Sequence, residues 1–142
     1  ASADRGQRCR RPHEHRLRDT IGEFKALGCR VSLFMDPAPD EYALARELGA
    51  DRIELYTEDY ARAHEVDDFD ATLVRYADAA ASAQASGLGV NAGHDLSLTN
   101  LTDFLTIEDI LEVSIGHALI SDALRFGLAD TVKKYLDCLP QD

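Results

Sequence analysis

An α/β fold on a parallel sheet is what this sequence predicts, from three observations. Short apolar strands alternate with helical stretches four times along the 142 residues. Within each strand, one alternate set of residues is apolar and the other is small or polar. Two of the strands run straight into Gly-His, at Gly93-His94-Asp95 and Gly116-His117-Ala118. A histidine just past the C-terminal end of a strand lies where α/β proteins keep their chemistry. The glycine before it is expected to let the backbone turn sharply or approach a ligand closely.

Residues 1–16 have no periodicity and almost no apolar content, so they are expected to form a disordered or unrelated basic head. Arg8, Arg10 and Arg11 are too few to define a nucleic-acid surface, and Cys9, His13 and His15 do not complete a four-ligand metal set. The ordered body is expected over 17–142. Leu17, Ile21, Phe24 and Leu27 recur at helical spacing, and Gly28 closes that helix. A strand follows at 30–35, then a helix opened by Pro39-Asp40-Glu41 and stopped by Gly49. The second strand is expected at 52–57 and a loop at 58–67. A long helix capped by Asp68 or Asp70 then runs to Ser86, burying Leu73, Tyr76, Ala77, Ala80 and Ala83. The third strand, 88–92, leads through a polar turn to a helix near 98–105. The fourth, 111–115, precedes helices at 119–126 and 129–139.

The alternation within the strands specifies the kind of sheet. Val31, Leu33 and Met35, Ile53 and Leu55, Leu88, Val90 and Ala92, and Val113 and Ile115 form the apolar set. Ser32, Glu54, Tyr56, Asn91, Gly93, Ser114 and Gly116 form the other. Strands of a doubly wound sheet are covered on both faces and tend to be apolar throughout. A polar inner set with an apolar outer set suits a barrel whose interior carries chemistry. The expected architecture is therefore four units of a (β/α)8 barrel. A full barrel needs roughly 200 residues or more, so the sequence reads as part of something larger or as one half of a pair.

The formal net charge of −11 is unevenly distributed. Residues 1–16 carry five Arg against two acids, giving +3; the rest carry 10 basic and 24 acidic groups, giving −14. An acidic body argues against a nucleic-acid groove. An anionic substrate would have to be held by local donors. No apolar run approaches the length of a membrane span, which argues against a membrane partner. Three cysteines without paired spacing suit free thiols in a reducing cytoplasm.

Three positions carry candidate chemistry. His94 sits where an imidazole could give or take a proton near neutral pH. Glu54 lies between Ile53 and Leu55, so it faces the barrel interior if they face the helices, as an acid, a base or a stabiliser of positive charge. Gly116-His117 opens a helix, where backbone N–H groups form a ready anion site. Each has a plainer reading: a loop histidine, an interior ion pair, a tight turn.

Four segments carry a resemblance: Val31–Asp36, Arg52–Thr57, Gly87–Leu96 and Glu112–Ile120. Over roughly Leu17 to Leu139, the chain resembles the C-terminal half of pyridoxine 5′-phosphate synthase, the PdxJ family of vitamin B6 biosynthesis. The resemblance implies the last four βα units of a (β/α)8 barrel and, in the whole protein, a homo-octamer. It implies condensation of 1-deoxy-D-xylulose 5-phosphate with 3-amino-2-oxopropyl phosphate to pyridoxine 5′-phosphate, phosphate and water, with no metal or organic cofactor. It assigns Glu54 as transition-state stabiliser, His94 as proton donor, and Gly116 and His117 as a phosphate-binding pair. Asp95 stands where some members have Gly, so its contact would be through the backbone. The family's early Asn-x-Asp-His strand, His and Arg pair and catalytic glutamate have no counterpart here, and His13 and His15 do not replace them. A missing N-terminal half is therefore an expected partner. The competing readings are a non-catalytic half-barrel serving only assembly, and another phosphate-handling barrel.

Overall fold

The computed structural model describes the backbone of residues 3–140 and the side chains from residue 13 onward. The side chains of Arg8, Cys9, Arg10 and Arg11 lie outside the described residues. Four strands, β1 (Ser32–Met35), β2 (Arg52–Tyr56), β3 (Gly89–Gly93) and β4 (Ile110–Ser114), form one sheet in the order β1-β2-β3-β4. All three pairings are parallel, so the C-terminal ends share one side, as a chain of right-handed βα units requires. The α/β class and the four strands match the sequence expectation to within two residues at each end.

The helices are α1 (Ala3–Ala26), α2 (Tyr42–Leu48, entered through a 3-10 turn at Pro39–Glu41), α3 (Glu58–Glu65), α4 (Asp70–Ala85), α5 (Leu101–Phe104), α6 (His117–Phe126) and α7 (Leu128–Asp137). Three expectations need correction. Residues 3–16 are helical and continuous with the stretch expected from Leu17, rather than disordered. Arg, Gln and Glu are good helix formers, whereas Pro12 inside the helix costs about 3 kcal/mol because it lacks an N–H donor. The loop expected at 58–67 contains α3, which has Glu58 and Asp59 in its first turn and Arg62 and His64 in its last. That polarity complements the helix dipole, but the helix is too short and polar for periodicity to reveal it. Neither Asp68 nor Asp70 caps α4: the N-cap is Phe69, without a side-chain bond, and the buried stripe is Tyr76, Ala79, Ala80 and Ala83.

Gly28, Gly49 and Gly87 end their helices at φ between 79° and 105°, in the left-handed region that a residue with a Cβ rarely adopts. The core lies between one face of the sheet and these helices. Ile53, Leu55, Val90 and Ala92 are fully buried there against Tyr42, Tyr76, Ala79 and Ala83. Small residues on α4 let it approach β3 closely. Tyr60 of α3 anchors the far end of this core, its ring packed against Phe69, Tyr76 and Phe104. The Tyr60 hydroxyl donates to the Asn100 carbonyl at 2.7 Å. Burial pushes the Tyr42 and Tyr76 hydroxyls up to about 12, so all three tyrosines stay neutral donors at physiological pH.

Tyr60→Phe removes one of the two donors to that carbonyl, which keeps the Phe104 N–H at 3.2 Å. The expected cost is about 0.5–1.5 kcal/mol in urea unfolding, with near-native near-UV dichroism.

Asp51 ties the other end together. Its carboxylate accepts from Lys25 on α1 and from the Val31 N–H at 2.9 Å. These bonds hold its pKa below the ordinary carboxylate value, the Lys25 bond contributing most. The folded value is the lower one, so the contribution to stability is present above the unfolded value of about 3.9 and is lost as pH falls through the folded value. Acid titration of Asp51→Asn should show a shallower loss of stability below about pH 4 than the parent does. An unchanged slope would contradict this role.

Candidate active site

Among the described residues, no helix packs on the sheet's second face. Along β2, Ile53 and Leu55 are buried while Arg52, Glu54 and Tyr56 point the other way, as the alternation predicted. Strand register places Phe34, Glu54, Asn91 and Glu112 side by side across this face. Tyr56, Gly93 and Ser114 form the next row toward the C-terminal end. Arg52 reaches along the face to Asn91 Oδ1 at 2.9 Å and Glu112 at 3.2 Å, and Arg30 joins Glu112 at 3.1 Å.

The Glu54 carboxylate leans toward the C-terminal end and lies over Gly93, where it accepts from Ser114 Oγ at 3.4 Å. A Cβ on Gly93 would come within 2.3 Å of Glu54 Oε1 and 3.0 Å of the Ser114 Cβ. Of the two roles expected of Gly93, a sharp turn and a close approach, the structure shows a close approach, here of a neighbouring side chain rather than a ligand. The left-handed turn falls on His94 (φ 79°) and Asp95 (φ 59°), and Gly93 is needed for its missing side chain. Nor does Gly116 adopt positive φ; it is the N-cap of α6, at φ −106°.

Two buried polar groups hold that turn. Thr57, fully buried, donates its hydroxyl to the carbonyls of Gly93, at 2.9 Å, and His94. Asn100 donates to the Asp95 carbonyl at 3.1 Å and accepts from Ser97 N–H at 2.8 Å. Two consecutive non-glycine residues in the left-handed region cost of order 1 kcal/mol each, which these bonds offset. The His94 ring packs on Tyr56 with centroids 4.9 Å apart, and Phe34 packs on Tyr56 at 5.2 Å with the rings tilted by 56°. Tyr56 is held in turn by Glu58.

Beyond the turn lies a cleft of about 700 Å³, between the 95–100 loop, α3 and the start of α6. Asp95, Gly116 and His117 line it together, with Arg62 and His64 opposite. His64 is paired to Asp103 at 3.0 Å and stacked on Phe69. Glu58, Glu65, Asp95 and Asp122 also line the cleft, so an anion there would depend on local donors, among them the backbone N–H groups opening α6. The five site residues read from the sequence thus fall into two adjoining places: Glu54 and His94 on the open face, and Asp95, Gly116 and His117 in the cleft. The His94–Asp95 turn joins them. Among the described residues, no three His, Cys, Asp or Glu side chains converge as a metal set would, and Cys29 and Cys138 are unpaired thiols.

Sequence reasoning missed Phe34, Arg52, Thr57 and His64. Phe34 and Arg52 were legible, because strict alternation puts them on the face of Ser32 and Glu54. Thr57 and His64 were not, since their partners are about 40 residues away.

The family model described as "Pyridoxal phosphate biosynthesis protein PdxJ" matches residues 2–141. The chain belongs to the PdxJ family. A pyridoxine 5′-phosphate synthase of Xanthomonas campestris pv. campestris (strain B100) is 58% identical over 122 residues, 85% of this chain and 48% of the relative. A Xanthomonas oryzae pv. oryzae (strain MAFF 311018) protein of the same name is 56% identical over 124 residues, 87% of the chain and 49% of the relative. The Xylella fastidiosa (strain 9a5c) protein is 57% identical over 124 residues, 87% and 48% of the two chains. This PdxJ-family chain spans about half the length of the curated relatives it matches, and the family match begins ahead of Leu17.

Gly93→Ala should leave the fold intact while moving the Glu54 carboxylate off its seat, because the far end of a glutamate gives way before a strand does. The expected loss of stability is about 1–3 kcal/mol, and a crystal structure of the variant would show Glu54 in a different rotamer. An undisturbed Glu54 would rule out the proposed role of Gly93.

Proposed function

We propose that this chain is the C-terminal four βα units of a (β/α)8 barrel. In that setting it contributes to pyridoxine 5′-phosphate synthesis from 1-deoxy-D-xylulose 5-phosphate and 3-amino-2-oxopropyl phosphate. The observation that carries the reading is the convergence of Glu54 and His94 on one open, polar sheet face at the C-terminal strand ends, beside the α6 N-terminus.

Joining an amine to a ketone and closing a ring moves several protons and develops positive charge at nitrogen. Glu54 presents a carboxylate to the face and is suited to stabilise that charge. His94, held at the rim by Tyr56 and the Thr57-anchored turn, is suited to give a proton to a departing oxygen. Gly116 and His117 offer N–H groups to a substrate phosphate, and the Asp95 contact would be through its backbone. The half-barrel provides one wall of such a site. The opposing wall would hold both substrates in register, a positioning effect worth roughly 7–11 kcal/mol. The uncovered face of Glu54 and His94 also suits a second reading, in which the lone chain serves only as an assembly piece.

The test is product formation from both substrates. Residues 1–142 alone should show no measurable turnover. Adding the first-half polypeptide of the Xanthomonas campestris relative should restore it, and His94→Ala in that mixture should lower the rate by about 10²–10⁴-fold. Turnover by the lone chain at a full-length rate would refute the half-barrel reading; a bound but inactive mixture would favour the assembly reading.

A further inference from the structure

The Thr57-anchored turn fixes the backbone of His94, but the ring still has two side-chain torsions to settle. Among the described residues, no hydrogen bond reaches a ring nitrogen; the ion contact from Nε2 to Asp95 Oδ2 spans 4.0 Å, beyond hydrogen-bond reach. The neighbours of the ring are aromatic instead, Tyr56 at 4.9 Å and Phe34 at 6.3 Å between centroids. Whatever holds the Tyr56 ring therefore orients the imidazole. We infer that Glu58, in the first turn of α3, is a positioning residue for His94 that acts through the Tyr56 ring. This rests on the reading of His94 as the proton donor and adds a residue to it.

The first support is the way Tyr56 is held. Its main chain is pinned by the pairing of β2 with β3 and by the buried Tyr76, whose hydroxyl donates to the Tyr56 carbonyl at 2.5 Å. Its side chain is pinned at the far end, where the hydroxyl donates to Glu58 Oε2. A ring tethered at both ends keeps one place beside His94, whereas a ring tethered only at its Cα can turn about χ1.

The second is how the Glu58 carboxylate is shared. Oε1 pairs with Arg62, one turn along α3, and Oε2 accepts from Tyr56. The Arg62 pair alone would be an ordinary i,i+4 helix contact. With it in place, the second oxygen is presented to the end of β2, and an ionic acceptor makes the hydroxyl bond stronger than a neutral one would.

The third is place. Glu58 lines the cleft with Gly116 and His117, while the ring it holds stands beside His94. The next residue, Asp59, pairs instead with Arg75 on α4 at 2.8 Å. Securing α3 and holding the Tyr56 ring thus fall to different residues of one helical turn.

Two measurements test this: kinetics of residues 1–142 mixed with the first-half polypeptide of the Xanthomonas campestris relative, and proton NMR of residues 1–142. Glu58→Ala and Tyr56→Phe should each lower kcat about tenfold with KM within about twofold, because the proton donor is misplaced while substrate binding is kept. The double variant should be no slower than Tyr56→Phe alone, since both changes remove the same bond. Glu58→Gln keeps an acceptor oxygen and should recover most of the rate. Asp59→Asn, in the same helical turn, should leave kcat and KM unchanged. The nuclear Overhauser contact between the Tyr56 and His94 rings should be present in the parent and in Glu58→Gln and weaker in Glu58→Ala. Additive losses in the double variant, or an equal loss in Asp59→Asn, would overturn the inference by reducing Glu58 to a helix residue. A change confined to KM would overturn it by placing Glu58 in substrate binding. An unchanged ring contact in Glu58→Ala would overturn it with His94 still the donor. A mixture in which His94→Ala costs nothing would overturn the proton-donor reading itself, and the bearing of Glu58 on the rate with it. A mixture without turnover would count against the half-barrel reading, and the ring contact alone would then decide whether Glu58 sets the His94 ring.

Discussion

Burial on one side only is the constraint on which the structure depends. Ile53, Leu55, Val90 and Ala92 are removed from water by the helices, and this apolar layer holds the sheet in place. The residues between them in the strands must then point away from it, because side chains alternate along a strand. Glu54, Tyr56, Asn91 and Gly93 are displayed together for that reason. The candidate chemistry sits on the reverse side of the core, and its geometry depends on how firmly the core holds β2 and β3.

That dependence is clearest at the His94–Asp95 turn. Thr57 continues from β2, Gly93 ends β3, and hydrogen bonds from the buried Thr57 hydroxyl join the two strand ends. Tyr60 on α3 holds Asn100, and Asn100 holds the Asp95 carbonyl. Two neighbouring residues with positive φ are thus fixed by groups from two preceding elements. A turn held in this way keeps the imidazole at the rim without help from bound substrate, a form of preorganisation that active sites use. The cleft on the far side of the turn shares the same supports, so the two halves of the candidate site are mechanically linked.

Among the described residues both edge strands, β1 and β4, are paired on one side only, and unpaired strand edges invite pairing. The edges here are short. The Arg30–Glu112–Arg52 pairs satisfy charges on the open face, and the bulge at Leu111 twists the β4 edge. The face between these strands carries Arg52, Glu54, Asn91 and Glu112, with Tyr56 and Ser114 toward its C-terminal end.

The sequence by itself determined the α/β class, the four strands and the face on which Glu54 lies, because a period of two records which side of a strand is buried. It also marked the Gly-His junctions, because strand ends and helix starts are local signals. Tertiary structure decided what those junctions are for. Gly93 suited either a turn or a close approach, and only the position of Glu54 on the neighbouring strand revealed that its missing Cβ makes room for a carboxylate. Helix α3 was too short and too polar to show in periodicity, and it forms because Tyr60 has a core to enter. Residues 3–16 lacked any apolar stripe, yet they continue the helix that follows them. Thr57 reads as an ordinary strand-end threonine until its hydroxyl meets the carbonyls of Gly93 and His94, nearly 40 residues away. Local pattern encodes which side of an element is buried; contacts between distant segments encode how a site is held.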